Sequence, residues 1–84
     1  MNSKQRKVLE SIFRYPPLAN ILWSDIESLL IASGAEISEG AGSRVRIKLN
    51  GVRAVFHRPY PQKTADKGAV SSVKRFLENA GVKL

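Results

Sequence analysis

The sequence has no cysteine and, in 84 residues, a single histidine, His57. The first absence removes disulfides, thiolate nucleophiles and Cys-ligated zinc. One histidine without clustered carboxylates offers no ligand set for a protein-built metal site, so neither a metal nor a cofactor is expected. No stretch approaches the ~18 consecutive apolar residues that a membrane span needs. Behind the basic residues of Met1–Lys7 there is no apolar run, so a secretory signal is not expected there. A reduced, cytoplasmic setting away from membranes is the simplest expectation.

Acidic residues are also scarce. Asp and Glu number 7 against 14 Lys and Arg, which gives a net charge of +7. So basic a chain repels itself when compact and attracts phosphates or acidic proteins. Nucleic acid is the commonest partner for such a balance; an acidic protein or plain solubility are the others. The composition is otherwise globular, with 43% hydrophobic and 25% charged residues. The length suits one small domain with a modest core.

The clearest local signal is Asn50-Gly51, which predicts a two-residue hairpin because both residues accept the positive φ of a type I′ turn. That loop fixes the register. Leu49 then faces Val52, Lys48 faces Arg53, Ile47 faces Ala54, Arg46 faces Val55, Val45 faces Phe56, and Arg44 faces His57. Facing residues share one side of the sheet. One side is apolar and wants a core. The other carries Arg44, Arg46, Lys48, Arg53, Val55 and His57, a cationic surface suited to a polyanion.

Helices flank the hairpin. Ser3 is expected to cap one that runs to about Phe13 or Arg14, with Val8, Leu9, Ile12 and Phe13 as its apolar stripe. Tyr15-Pro16-Pro17 stops it. The following linker, Pro17 to Leu22, would let this helix stand off as an appendage. Ser24-Asp25-Ile26-Glu27 has the form of a capping box. It opens a helix with Trp23, Ile26, Leu29 and Leu30 inward and Gly34 at its end. Ala35-Glu36-Ile37 reads as a short strand, and Glu39 to Gly42 as a flexible turn. Arg58 to Gly68, with two prolines, reads as a loop. The last helix begins near Lys67, with Asp66 at its start, and Gly81 closes it. The class is α+β: a three-stranded antiparallel sheet with helices on one face and the basic face open.

At this level the sequence resembles the HicA family of bacterial toxins, small ribonucleases of toxin–antitoxin pairs. The resemblance runs from about Trp23 to Val82. It rests on Asp25-Ile26-Glu27-Ser28-Leu29-Leu30, Ala32-Ser33-Gly34-Ala35, Gly42-Ser43 and the hairpin turn. It continues through Arg58-Pro59, Pro61, Gly68-Ala69-Val70, Arg75 and Asn79-Ala80-Gly81-Val82. It implies a double-stranded-RNA-binding-domain-like α-β-β-β-α fold, here with an extra N-terminal helix. Residues 1–22 would form that helix and its linker, and residues 23–84 the toxin domain. It also implies cleavage of mRNA and neutralisation by a HicB-like antitoxin. In the family a catalytic histidine follows the Gly-Ser pair. Here Arg44 and Val45 follow Gly42-Ser43.

The hairpin register suggests where the imidazole went. Position 57 lies across the ladder from position 44, so His57 would keep the same face, one strand over. On this reading His57 is the general base and Arg44, Arg46, Lys48, Arg53 and Arg58 bind phosphate. Tyr60 is a candidate for stacking on a base. Two rivals stay open. One is a non-catalytic nucleic-acid-binding module, either dsRBD-like or a winged helix with the hairpin as wing. The other is an antitoxin-binding protein that has lost cleavage.

Overall fold

Asn50 and Gly51 adopt φ of 51° and 82°, and the chain reverses there between two strands of equal length. In the computed structural model, which describes residues 1–16 and 18–84, the elements run α1 (Ser3–Phe13), β1 (Ile21–Leu22), α2 (Trp23–Ala32), β2 (Glu36–Glu39), β3 (Arg44–Leu49), β4 (Val52–His57), β5 (Thr64–Ala65) and α3 (Lys67–Asn79). β2, β3 and β4 form an antiparallel sheet in that order. The architecture is the expected α+β one. A second, two-stranded sheet pairs Ile21 with Ala65 and Leu22 with Thr64. It falls in stretches read from sequence as linker and loop. Two-residue strands carry no periodicity, so only their long-range pairing defines them.

The hairpin register is the predicted one at all six pairs, from Leu49–Val52 to Arg44–His57. Along β3, Val45, Ile47 and Leu49 are buried, while Arg44, Arg46 and Lys48 are exposed. The inner residues pack with Ile26, Leu29 and Leu30 of α2 and with Val70, Val73, Phe76 and Leu77 of α3. Phe56 bridges the two helices. Its ring lies 5.9 Å from Trp23 and 5.9 Å from Phe76, edge-on to the latter. Such tilted pairs suit the aromatic quadrupole.

Both core helices end in the same motif. Gly34 N–H donates to Ile31 O and Ala35 N–H to Leu30 O; Gly81 N–H donates to Glu78 O and Val82 N–H to Leu77 O. The two glycines sit at φ of 100° and 82°, the left-handed conformation that closes a Schellman cap. The carbonyl of Ala80, the residue that caps α3, accepts from Asn50 Nδ2 at 2.8 Å. The hairpin tip is thereby tied to the end of α3.

The helix starts differ from expectation. Asn2, not Ser3, caps α1: its side chain accepts from Gln5 N–H at 2.8 Å and Gln5 Oε1 accepts from Asn2 N–H at 2.9 Å. The two bonds make a capping box, with the cap one residue earlier than read. α2 begins at Trp23 with no side-chain cap, and the box expected at Ser24 does not form. Trp23 N–H donates instead to Lys63 O at 2.9 Å. A backbone carbonyl distant in sequence satisfies the first helical amide, and the cap position is Leu22, two residues before Ser24.

α1 is no appendage. Ile12 is fully buried, Leu9 nearly so, and both belong to the same core as α2 and α3. Pro17, one of the residues expected to end α1, lies outside the described residues. Removing the Ile12 side chain beyond Cβ should leave a cavity in the shared core. Ile12→Ala is therefore expected to cost about 2–5 kcal/mol in urea denaturation; an unchanged midpoint would mean that α1 does not contribute to the fold.

Candidate nucleic-acid interface

The open face of the sheet is built in rows by the strand register. Glu36, Lys48 and Arg53 form one row, and Ser38, Arg46 and Val55 the next. Arg44 and His57 form the last, beyond the end of β2, whose final pair is Glu39–Val45. All eight side chains belong to exposed residues. The core fills the other face, so the sequence places every second residue of β3 and β4 in water.

Hydrogen-bond alternation brings the last row close together. A two-residue loop makes Leu49–Val52 a hydrogen-bonded pair, and the pairs then alternate. Arg44–His57 is accordingly a non-hydrogen-bonded pair, with Cα atoms about 4.5 Å apart in such ladders. The next pair agrees: Arg58 N–H donates to Ser43 O at 2.9 Å. Arg44 turns its own backbone toward the β2 side, accepting from Gly40 N–H at 2.9 Å and donating to Ala41 O at 3.3 Å. His57 and Arg44 thus stand side by side, as read from the hairpin.

Charge on this face is one-signed apart from Glu36. Arg44, Arg46, Lys48 and Arg53 make no ion pair among the described residues; the three found there involve only Lys4 and Arg58 as cations. An open depression of about 550 Å³ runs over the face between Ser38, Arg46, Lys48, Arg53 and Val55. Val55 is 57% exposed within it, a lone apolar side chain among cations. A face like this carries cations without ion-pair partners among the described residues and suits an extended polyanion.

Arg58 sits differently from the other cations expected to bind phosphate. Its Nε donates to Glu27 Oε2 at 2.8 Å and its Nη2 to Glu27 Oε1 at 3.2 Å. Its Nη1 donates to both oxygens of Glu39, at 2.7 and 2.6 Å. Glu27 also accepts from the indole Nε1 of Trp23. Hydrogen bonds to Glu27 first, and then to Glu39, raise the guanidinium pKa above its ordinary value. It stays charged throughout the accessible pH range, as a guanidinium does in proteins, and the clamp needs both carboxylates ionised. Two carboxylates occupy its donors, so Arg58 acts in the fold as a clamp joining α2, β2 and the end of β4.

Sequence reading missed Glu27 and Glu39 in this role. Sequence spacing makes Glu27 half of a capping box and Glu39 part of a turn. Their partner is 31 residues from Glu27 and 19 from Glu39, so no local spacing marks the pairing. Tyr60, by contrast, is 91% exposed, free as a stacking group must be. Among the described residues no group of His, Asp and Glu side chains could hold a metal ion, and no helix is long and apolar enough to cross a membrane.

Residues 23–82 match the family described as HicA toxin of bacterial toxin–antitoxin systems. The chain belongs to the HicA toxin family. No curated protein and no solved structure matches it. The sheet and core helices just described are consistent with the dsRBD-like fold of that family. Family membership makes the chain a toxin of a toxin–antitoxin system, with an antitoxin as its general partner. The matched span begins at Trp23, the first residue of α2, so α1 lies before it.

A lysine at position 58 would present a point charge on a flexible stem, unable to fork across two carboxylates. Arg58→Lys is expected to lower the melting temperature by several degrees, with the difference shrinking in high salt because the clamp is partly exposed. Equal melting temperatures at low salt would contradict the clamp.

Proposed function

We propose that this HicA-family chain is a metal-independent endoribonuclease that cleaves mRNA in the cytoplasm, with His57 as its general base. Its partner would be a HicB-like antitoxin. The carrying observation is that the only imidazole is exposed and directly opposite Arg44 on the cationic sheet face. The family's histidine follows the Gly-Ser pair; here that position is Arg44, and its cross-strand neighbour supplies the imidazole instead. We also read residues 1–22 as an addition to a family core of residues 23–84, one that has become packed into that core.

RNA carries its own nucleophile. His57 removes the proton from a 2′-OH, the 2′-oxygen forms a bond to the adjacent phosphorus, and the bond to the 5′-oxygen breaks. The products are a 2′,3′-cyclic phosphate and a 5′-hydroxyl. The leaving oxygen takes its proton from water, Tyr60 or a lysine, since the chain holds no second histidine. An imidazole suits the first transfer because it changes charge near neutrality. Arg44, beside it, would stabilise the charge that builds on the phosphoryl oxygens. Arg46, Lys48 and Arg53 would hold the flanking phosphates, and Tyr60 would stack on a base. One imidazole in place of an acid–base pair makes a slow enzyme.

The antitoxin would compete for the same face. An acidic surface with an apolar anchor would meet the four cations and Val55, satisfying charge and covering the exposed side chain in one contact.

Induced expression in a bacterium should arrest growth with mRNA cleavage. His57→Ala should lower the cleavage rate about 10²–10⁴-fold, the usual range for a lost general base, while RNA binding persists. A double variant, Arg44→His with His57→Arg, should recover much of the lost rate, because the two positions are interchangeable across the ladder. Full toxicity in His57→Ala would remove the assignment. RNA binding without cleavage by the unaltered chain would make it a binding module instead.

Salt gives an independent reading. If four cations neutralise four phosphates of a single strand, the logarithm of the binding constant should fall with log salt at a slope of about −2.8. Arg46→Ala should make that slope shallower by about 0.7. A slope near zero would mean that the face does not track a phosphate backbone.

A further inference from the structure

One exposed tyrosine is ordinary, but three observations set Tyr60 apart. The first is that its loop is held at both ends. Arg58 is fixed by Ser43 O and by the carboxylates of Glu27 and Glu39. Lys63 O accepts from Trp23 N–H, and Thr64 and Ala65 pair with β1. The small β1–β5 sheet therefore anchors the loop rather than extending the main sheet. An aromatic platform on an anchored loop loses little entropy when a ligand arrives.

The second observation is a cavity. An open hollow of about 430 Å³ begins at His57 and runs past Pro59, Tyr60 and Pro61 to Gln62, Thr64 and Asp66. That size is within the ~300–1,000 Å³ of small-molecule sites. The third is the chemistry of its far wall. Gln62 offers an amide and Thr64 a hydroxyl. Asp66 spends Oδ1 on the Ala69 amide at 2.8 Å, which leaves Oδ2 as an acceptor.

The geometry points to a base-binding subsite: the hollow takes one unstacked nucleobase of single-stranded RNA, beside the phosphate at His57. The base stacks on Tyr60 and turns its hydrogen-bonding edge to Gln62, Thr64 and Asp66. This rests on the RNA reading above and adds to it the residues that choose where the strand is cut. A wall of amide, hydroxyl and carboxylate suits the edge of a base better than the apolar anchor of a protein partner. β1 and β5 then have a role in function: they hold the selecting loop at a fixed distance from the imidazole.

The test uses the full chain and short single-stranded RNAs in which one abasic site is walked along the sequence. Binding is read by fluorescence anisotropy and cut positions by sequencing. Stacking is worth about 1–3 kcal/mol per base, so Tyr60→Ala should weaken binding about 5–150-fold while Tyr60→Phe stays near the unaltered chain. An abasic site at one position should erase the difference between the unaltered chain and Tyr60→Ala. Gln62→Ala should change which base is preferred at that position. Unchanged affinity in Tyr60→Ala, or no sensitive position, overturns the subsite even if cleavage proceeds normally. Position-dependent binding without any cutting keeps the subsite and removes the nuclease. Loss of affinity for a protein partner alone, with RNA binding unchanged, reassigns Tyr60 to a protein contact and overturns the subsite. Failure of the unaltered chain to bind RNA removes both.

Discussion

The reversal at Asn50-Gly51 decides which side of the sheet each residue of β3 and β4 occupies. With side chains alternating at every step, a slip of one residue would turn Val45, Ile47 and Leu49 toward water and Arg44, Arg46 and Lys48 toward the core. Burying three cations without partners would be prohibitive, so the core and the cationic face are two consequences of one register. The structure secures it twice, through the left-handed backbone of the turn and through the bond from Asn50 Nδ2 to Ala80 O. The second tie couples the hairpin to α3, so the core helix and the outer face cannot shift independently.

From this constraint follows a division of labour among the cations. Among the described residues, those of the central sheet face make no ion pair, which leaves their charge available and the surface self-repelling. Arg58, at the end of the same hairpin, is turned to structural use by Glu27 and Glu39. It lies one residue beyond His57 and begins the loop that carries Tyr60. The clamp therefore fixes both the strand end that presents the imidazole and the segment beside it. α1, although outside the matched family span, closes the far side of the core through Leu9 and Ile12. Its Lys4 contact with Asp25, at 3.5 Å with the lysine largely exposed, adds little to this.

Much of this was legible in the sequence where the signal is local. Asn50-Gly51 with flanking alternation sufficed for the register. Glycines 34 and 81 marked two helix ends, and Asp66 marked the start of α3, where its side chain accepts from Ala69 N–H. The misreadings share a cause. Ser24 looked like a cap because Glu27 follows at the right spacing, yet Arg58, distant in sequence, holds the Glu27 carboxylate, and Lys63 O takes the Trp23 amide at the helix start. β1 and β5 exist only as each other's complement. Arg58 read as a free cation because nothing near it in sequence is acidic. Tertiary partners set these outcomes, and spacing along the chain holds no trace of them. At the candidate site the position of His57 beside Arg44 was legible; the anchoring of the Tyr60 loop was not.

The account stands on His57 and Arg44 being non-hydrogen-bonded neighbours on the outer face. In solution such pairs bring their Hα protons into close contact, whereas hydrogen-bonded pairs do not. Proton NMR should therefore show Hα–Hα cross-peaks between residues 44 and 57, 46 and 55, and 48 and 53, with contacts from the His57 ring to the Arg44 side chain. Cross-peaks displaced by one residue, or a His57 ring in contact with Val70 or Leu77, would contradict it.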